Sequence, residues 1–283
     1  MPEFFHVLFD PNVLFLRYAL LLGVISSVTF GIMSTYIVIR RISYIAGAIS
    51  HCILGGIGAG MFLQKRIGLG WITPLYGAIV AALLAAIIIG CMTLYGRQRE
   101  DSAIGAIWAI GMAVGLLFIA KTPGYVDPMS YLFGNILLIS KTDIWAAIIL
   151  DILIIGMVVL FYRQFLAVCF DEEFAKLRGV KVVPNYLLLL SLIALTIVLL
   201  VRVVGIIMVI AMLTLPATLA TMLPLRLWQI MALSSILCMC FNAFGLCFSY
   251  VYDLPTGPTI IVILGAVYFL SIAGKYLLEA RRS

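Results

Sequence analysis

The feature that most constrains this chain is a series of apolar blocks, each long enough to cross a lipid bilayer as an α-helix. Crossing the hydrocarbon core takes about 17 to 25 predominantly apolar residues in a helix. The blocks predict about nine membrane spans, or about eight if one of them is partial. They lie at residues 14–38, 45–63, 72–95, 103–120, 143–162, 185–201, 204–222, 227–249 and 258–278.

The composition supports this class of protein. Hydrophobic residues make up 65% of the chain and charged residues 11%, whereas a soluble domain carries about 25% charged residues. The sequence also lacks the alternation, over segments of about ten residues, that is typical of outer-membrane barrels. We therefore predict an all-α integral membrane protein in which residues 1–283 form a single transmembrane domain, a polytopic helical bundle.

Lysine and arginine residues cluster between the predicted spans. If about nine spans alternate in direction, all the clusters fall on one side of the membrane, which the positive-inside rule assigns to the cytoplasm. The N-terminus is then outside and the C-terminus inside, although Lys65, Lys121 and Lys141 fall outside and weaken the bias. Because the basic residues lie in short loops, the net charge of +6 does not indicate nucleic-acid binding. The clusters are Arg40/Arg41, Arg97/Arg99, Arg163 through Lys181, and Arg281/Arg282.

The segment "DPMSYLFGNILLI", residues 127–139, is apolar but is broken by Pro128 and Gly134. It is too short to span a bilayer, because a span needs about 17 residues or more. Irregular backbone at membrane depth is tolerated only where protein covers it. The segment is predicted to be a re-entrant or interfacial piece, or half of a broken helix.

His51 is one of only two histidines in the chain, and it lies in a run of apolar and very small residues, "SYIAGAISHCILGGIGAG". Small residues in a membrane span let neighbouring helices approach closely. An ionisable residue in such a span is either hydrogen-bonded between helices or used on a transport path. The residues alone leave both interpretations open for His51.

Asp151 is the second ionisable residue that falls near the middle of a predicted span, between "IWAAIIL" and "ILIIGMVVLF". Such a carboxyl group costs about 3 kcal/mol on membrane-insertion scales, so it should face protein or a water-filled route. An interhelical hydrogen bond or protonation would explain it, and so would a role in the passage of an ion.

The loop "FDEEFAKLRGVKVVPN", residues 170–185, has the pattern of a short helix outside the membrane. Acidic residues stand at its start, basic residues near its end, and Gly179 follows. This order complements the helix dipole and gives both ends a cap. The pattern fits a helix that only links two spans and equally a helix that docks a cytoplasmic partner.

Three segments of the chain resemble the zinc and manganese permease family of ATP-binding-cassette importers. The first is "SYIAGAISHCILGGIGAG", which is similar to that family's early helix with a Ser-His pair and glycines. The second is "EDSAIGAIWAIGMAVGLLFI" followed by "VDPMSYLFGNIL". The third is "RVVGIIMVIAMLTLPATLATMLPLRLWQIM" together with "YDLPTGPTIIV". They run in the family's order over residues 44–263.

This resemblance implies a fold related to the permeases of vitamin and iron-chelate importers. It implies a subunit with no catalysis of its own and no covalently bound cofactor, in a bacterial inner membrane, that conducts zinc, manganese or iron ions. The implied partners are membrane lipid, a second copy of the chain, cytoplasmic subunits that bind and hydrolyse ATP, and an extracytoplasmic metal-binding protein.

The resemblance also implies roles for particular residues. His51 falls on the histidine that the family places along the metal path, with Gly47 one turn earlier where many members have an aspartate. Asp151 is not recognised as part of the family pattern. Asp253 lies in "YDLPTGP" at the expected outer mouth, where a solvated loop acid is the alternative. The helix near 171–179 falls where the family places its coupling helix, with expected partner contacts from Glu172, Glu173, Phe174, Lys176, Leu177, Arg178 and Gly179.

Two other classes of protein are alternatives to an ATP-driven importer subunit. An ion-coupled secondary metal transporter would be expected to carry matching broken helices in two repeated halves, and the sequence has no convincing internal repeat. A membrane enzyme would need a constellation of polar catalytic groups, and none can be picked out along the chain. The secondary transporter is the alternative that remains.

Overall fold

A computed structural model describes residues 14–69, 71–95, 100–124, 132, 134 and 140–280. These residues form helices joined by short connections, and no strand occurs among them. The helices are α1 (Leu14–Arg40), α2 (Ser43–Arg66), α3 (Pro74–Tyr95), α4 (Glu100–Lys121), α5 (Lys141–Leu160), α6 (Tyr162–Phe170), α7 (Glu172–Leu177), α8 (Val182–Val204), α9 (Ile206–Thr221), α10 (Leu227–Val251) and α11 (Thr256–Ala280).

Within the described ranges, 8 helices are long and apolar enough to cross a membrane, namely α1 to α5, α8, α10 and α11. The apolar helix α9 has only 16 residues. The chain passes from α8 into α9 at Gly205, whose φ of 85° lies in the left-handed region that favours glycine. The 8 long helices agree with the prediction of about nine spans, or about eight if one is partial, and each helix matches its predicted block to within a few residues at most ends.

The small-residue helix α2 is the most deeply buried of the candidate spans. It lies between α3 and α4, and glycines stand where the backbones meet. A methyl group on Gly58 would lie 2.5 Å from the carbonyl oxygen of Gly115 in α4, and one on Gly55 would lie 2.9 Å from that of Gly111. Only glycine permits this approach, as the sequence pattern predicted.

Helices α4, α5 and α11 form the outside of the described bundle. Few of their residues are buried, and large apolar side chains such as Leu117 in α4, Ile152 in α5 and Phe269 in α11 are exposed. An apolar surface of this kind suits contact with lipid or with another membrane-spanning chain.

Polar side chains join α1 to α10 inside the bundle. The Asn242 side-chain amide of α10 donates to the Ser27 hydroxyl of α1 at 3.0 Å, and the Thr35 and Ser234 hydroxyl oxygens are 3.4 Å apart. Hydrogen bonds of this kind are a common means of holding membrane helices together, because few other polar partners exist in hydrocarbon.

Two contacts show which ends of the helices lie together. Arg40 at the end of α1 forms an ion pair with Glu172 at the start of α7. Lys65, at the end of α2, lies near Gly124, which follows α4. Its ammonium nitrogen is 3.9 Å from the position that a Cβ atom on Gly124 would take. The first of these contacts brings two of the predicted cytoplasmic basic clusters to one end of the bundle, which agrees with the predicted alternation of spans.

Several predictions fall outside the described residues. The segment predicted to be re-entrant, residues 127–139, lies outside them except for Leu132 and Gly134. The basic pairs Arg97/Arg99 and Arg281/Arg282 also lie there.

Candidate transport path and loop helix

His51 lies on α2 and stacks on Trp108 of α4. The two ring centroids are 4.5 Å apart and the ring planes differ by 21°. His51 is half-buried, and its Nδ1 is buried without a hydrogen-bond partner among the described residues. The hydrogen bond between helices that would explain a merely tolerated histidine is therefore not found for this nitrogen.

Gly47 lies one helical turn before His51 and contacts the same indole ring. A Cβ atom at position 47 would lie 3.0 Å from Cζ3 of Trp108 and 3.1 Å from Cδ1 of Ile210 in α9. The two positions therefore share a face of α2, as the spacing of four residues predicts. That face points to the junction of α2, α4 and α9.

The side chains on either side of His51 point elsewhere. The Ser50 hydroxyl donates to the Gly47 carbonyl within the same helix at 2.7 Å. The Cys52 thiol points to the Ile107 carbonyl of α4 at 3.4 Å and packs against Gly111. Residues next to each other on a helix point about 100° apart, and neither side chain shares the face of His51.

The described residues contain no group of three or more His, Cys, Asp or Glu side chains placed to hold one metal ion together. His51 is accompanied by an aromatic ring and a glycine rather than by a carboxylate. A single imidazole can contribute to a metal's coordination while water fills the remaining positions. Such an arrangement suits brief contact with a passing ion better than its retention.

Asp151 is buried between α5 and α1. The Ser26 hydroxyl of α1 donates to its Oδ2 at 2.8 Å, while Oδ1 has no partner in the described part of the chain. This is the interhelical hydrogen bond that the sequence offered as one of its explanations. The structure places Asp151 with α1, whereas His51 lies with α4 and α9.

The loop helix α7 begins and ends with the capping features that the sequence predicts. The Asp171 carboxylate accepts a hydrogen bond from the Phe174 backbone N–H at 2.9 Å. At the other end Gly179 has a φ of 76°, and the Val180 N–H donates to the Ala175 carbonyl at 2.9 Å. The helix covers Glu172–Leu177, because Arg178 and Gly179 of the predicted 171–179 segment form its C-terminal cap.

Helix α7 presents apolar side chains away from the bundle. Ala175 is fully buried, whereas Phe174 is 49% exposed and Leu177 is 87% exposed. The Arg178 guanidinium lies over the Phe174 ring, 5.0 Å from its centroid. Large apolar groups that remain this exposed on a loop outside the spans are available to a partner protein.

Glu172 makes an internal contact that the sequence did not reveal. Its carboxylate pairs with Arg40, and the Arg40 guanidinium also lies over the Tyr186 ring of α8 at 5.2 Å. Tyr186 is buried. Glu172 therefore joins α7 to α1 and α8, whereas Glu173, Lys176 and Arg178 are exposed.

Asp253 is exposed in the turn between α10 and α11. Its φ of 51° lies in the left-handed region, which aspartate and asparagine adopt more readily than other non-glycine residues. The Leu254 N–H donates to the Ser249 carbonyl at 2.9 Å and closes the turn. The turn itself thus accounts for an aspartate here, and its side chain stays free to face solvent or a partner.

The fold and these sites define a multi-pass helical membrane permease with a loop helix outside its spans. The profile of the ABC 3 transport family matches residues 12–275. The chain belongs to this family of ATP-binding-cassette transporters and is a membrane permease subunit.

Two curated relatives indicate which transporters are similar. A "Probable metal transport system membrane protein" of Chlamydia pneumoniae is 41% identical over 251 residues, covering 88% of this chain and 85% of the relative. The "Manganese transport system membrane protein MntC" of Listeria monocytogenes is 31% identical over 257 residues, covering 91% of this chain and 89% of the relative.

Two solved structures share the fold. A chain of PsaBC from Streptococcus pneumoniae, solved in complex with Fab, has a TM-score of 0.84 and 30% identity, with coverage of 95% of this chain and 94% of that chain. A putative metal-chelate type ABC transporter in an inward-facing conformation has a TM-score of 0.68 and 13% identity, covering 97% and 89% of the two chains. The second likeness concerns the fold alone, and it agrees with the predicted relation to chelate-importer permeases.

Proposed function

We propose that this permease conducts a divalent transition metal ion, zinc, manganese or iron, into a bacterial cell across the inner membrane. The observation that carries the proposal is His51, an imidazole whose Nδ1 has no hydrogen-bond partner among the described residues. It lies on the most buried of the candidate spans, in a chain whose relatives are named for metal transport. Imidazole binds borderline metals such as zinc, and no carboxylate joins it in a metal-binding group among the described residues, which disfavours tight manganese retention.

The proposed path passes His51 at the junction of α2, α4 and α9. The metal is cargo, and the single imidazole makes brief contact with it in place of one of its waters. Asp151 is the weaker candidate for the same path, because its carboxylate is already engaged by Ser26 and lies against α1. Its proposed role is to hold α1 and α5 together.

The energy for import comes from partners in this proposal. Cytoplasmic subunits bind and hydrolyse ATP, and α7 docks them through Phe174 and Leu177, which lie three residues apart on an exposed surface. A second copy of the chain completes the membrane part of the transporter. Contact with this copy and with lipid accounts for the large apolar faces of α4 and α5.

An extracytoplasmic metal-binding protein delivers the ion at the opposite end, near Asp253. Exposure of this carboxylate on the α10–α11 turn supports the assignment. Asp253→Asn keeps a residue that tolerates the left-handed backbone, so it removes charge without disturbing the turn. It is expected to weaken stimulation of ATP hydrolysis by the binding protein, and an unchanged stimulation curve would remove Asp253 from the mouth.

The proposal is tested with the permease, its ATPase and its binding protein reconstituted together in proteoliposomes. We expect Zn²⁺ or Mn²⁺ to accumulate only when ATP and the binding protein are both supplied. The competing function, an ion-coupled secondary metal transporter, predicts uptake driven by a proton or sodium gradient without ATP. Gradient-driven uptake by the permease alone would overturn the proposal, although family membership already argues against it.

A further inference from the structure

Trp108 lies at the centre of the aromatic contacts around His51. Its ring stacks on the imidazole at 4.5 Å, and Tyr44 lies against it at 5.7 Å with the planes inclined by 43°. The Gly47 backbone faces the same ring. The indole is therefore held between residues of α2 that are spaced along one face of that helix.

The stacking sets the orientation of the imidazole. A metal-binding histidine is ordinarily oriented by a hydrogen bond from its second ring nitrogen. His51 lacks such a bond at Nδ1 within the described structure. The indole ring, whose centroid lies 4.5 Å from that of the imidazole, is the contact that fixes the imidazole plane, because stacked aromatic pairs are favourable beyond the area that they bury.

The indole also depends on the absence of a side chain at position 47. A Cβ atom there would lie 3.0 Å from Cζ3 and 3.3 Å from Cη2 of Trp108. The neighbouring Ile210 can move its terminal methyl group, but the two indole atoms belong to a rigid ring. A Cβ atom at position 47 therefore requires the whole indole to move by a few tenths of an ångström, and the movement would also alter its contact with His51.

We propose that Trp108 is a positioning residue for His51 and forms a size-matched pair with Gly47. In this pair the indole fills the space that a side chain at position 47 would need. The inference rests on the proposed function of His51 as a metal contact. It specifies a site with one imidazole nitrogen and one covering ring, which binds a divalent transition cation weakly. A carboxylate at position 47 and an indole at position 108 compete for the same space in this packing.

The test uses Co²⁺ as the probe and the full chain purified without a polyhistidine tag. Four tryptophans are present, and replacing Trp71, Trp145 and Trp228 by Phe leaves Trp108 as the single tryptophan, which is excited selectively at wavelengths where tyrosine does not absorb. Co²⁺ bound at His51 should quench its emission with saturation, and His51→Ala should abolish that quenching. Unquenched emission while His51 still binds Co²⁺ would contradict the stacking at the site.

Equilibrium dialysis of Co²⁺ measures the positioning effect in the otherwise unchanged chain. Trp108→Leu should weaken binding about tenfold, the size expected when support for a metal ligand is lost, whereas Trp108→Phe keeps an aromatic ring and should restore most of the affinity. Trp145→Leu, at a residue that is 66% exposed on α5, is the matched control and should change nothing.

The size-matched pair is tested by a double-mutant cycle. Gly47→Asp alone should not tighten Co²⁺ binding, because the indole blocks the carboxylate. Gly47→Asp combined with Trp108→Leu should bind Co²⁺ at least about tenfold more tightly than Gly47→Asp alone, since a carboxylate and an imidazole one turn apart can then share the ion. Tight binding by Gly47→Asp alone would overturn the pair.

The outcomes separate this inference from the proposed function. If Trp108→Leu and Trp108→Phe bind Co²⁺ like the wild type while His51→Ala does not, Trp108 has no positioning role and the metal contact at His51 stands. If His51→Ala binds Co²⁺ as well as the wild type, both fall.

Discussion

Glu172, the first residue of α7, forms an ion pair with Arg40, the last residue of α1. The same guanidinium lies over the ring of Tyr186 in α8. The loop helix is thereby joined to two membrane-spanning helices. A movement of α7 would therefore be transmitted to α1 and α8 through this contact.

We expect Glu172→Gln to lower the amount of metal transported per ATP hydrolysed while the ATPase remains bound. The pair is only partly buried, with side chains 20% and 33% exposed, so its loss should cost no more than about 1 kcal/mol of stability. The measurement is transport per ATP in proteoliposomes. The charge-exchanged pair Arg40→Glu with Glu172→Arg should recover part of the coupling, and an unchanged ratio in Glu172→Gln would exclude this route.

Phe174→Ala should detach the ATPase from the permease. Removal of an aromatic anchor from the centre of an interface costs about 2 kcal/mol or more, which is roughly thirtyfold in affinity. Co-purification of the ATPase measures this loss. Lys176→Ala on the same helix is the control and should have a much smaller effect, because charges at the rim of an interface contribute little. Full retention of the ATPase by Phe174→Ala would leave α7 as a linker.

Gly179→Val should uncouple ATP hydrolysis from transport even where some ATPase stays bound. Apart from its neighbours in the chain, no atom of the described residues lies within 4 Å of a Cβ at this position, so the reason is the left-handed φ of 76° rather than crowding. This backbone costs a residue other than glycine about 1 to 2 kcal/mol, and asparagine tolerates it better. Gly179→Asn is therefore the matched control. Equal transport per ATP in the valine and asparagine variants would contradict a conformational role.

The fold could be predicted from the sequence because membrane spans are local features. Blocks of apolar residues define α1 to α5 and α8 to α11. The sequence predicted a gap between α8 and α9 at residues 202–203, and the observed break at Gly205 lies just after it. The capping pattern around Asp171 and Gly179 defines α7 for the same reason. In each case the signal lies within one turn or one span of the residues that it describes.

The contacts of the candidate site could not be predicted in this way. Arg40 and Glu172 are 132 positions apart, and Ser26 and Asp151 are 125 positions apart. Hydrophobic periodicity states which residues lie in a helix but not which helices meet. Trp108 was missed because in the sequence it resembles any other apolar residue of α4. Its contact with Gly47 is visible only once the two helices are packed together.

Ser26→Ala should destabilise the protein more than Asp151→Asn. Removing the hydroxyl leaves the buried Asp151 carboxyl group without its hydrogen bond from Ser26, at a cost of about 1 to 3 kcal/mol, whereas asparagine can still accept from Ser26. Thermal unfolding in detergent measures the difference. If Asp151 acts on the metal path instead, Asp151→Asn would abolish transport without loss of stability.

The most direct test of the metal path is ATP-driven uptake of Zn²⁺ and Mn²⁺ by proteoliposomes that contain the His51→Ala permease with its ATPase and binding protein. Ser50→Ala is the control, because the Ser50 hydroxyl bonds within its own helix. We predict that His51→Ala lowers uptake at least about tenfold, as loss of a metal contact should, while assembly with the ATPase is unchanged and Ser50→Ala transports normally. Uptake by His51→Ala at the wild-type rate would contradict the path.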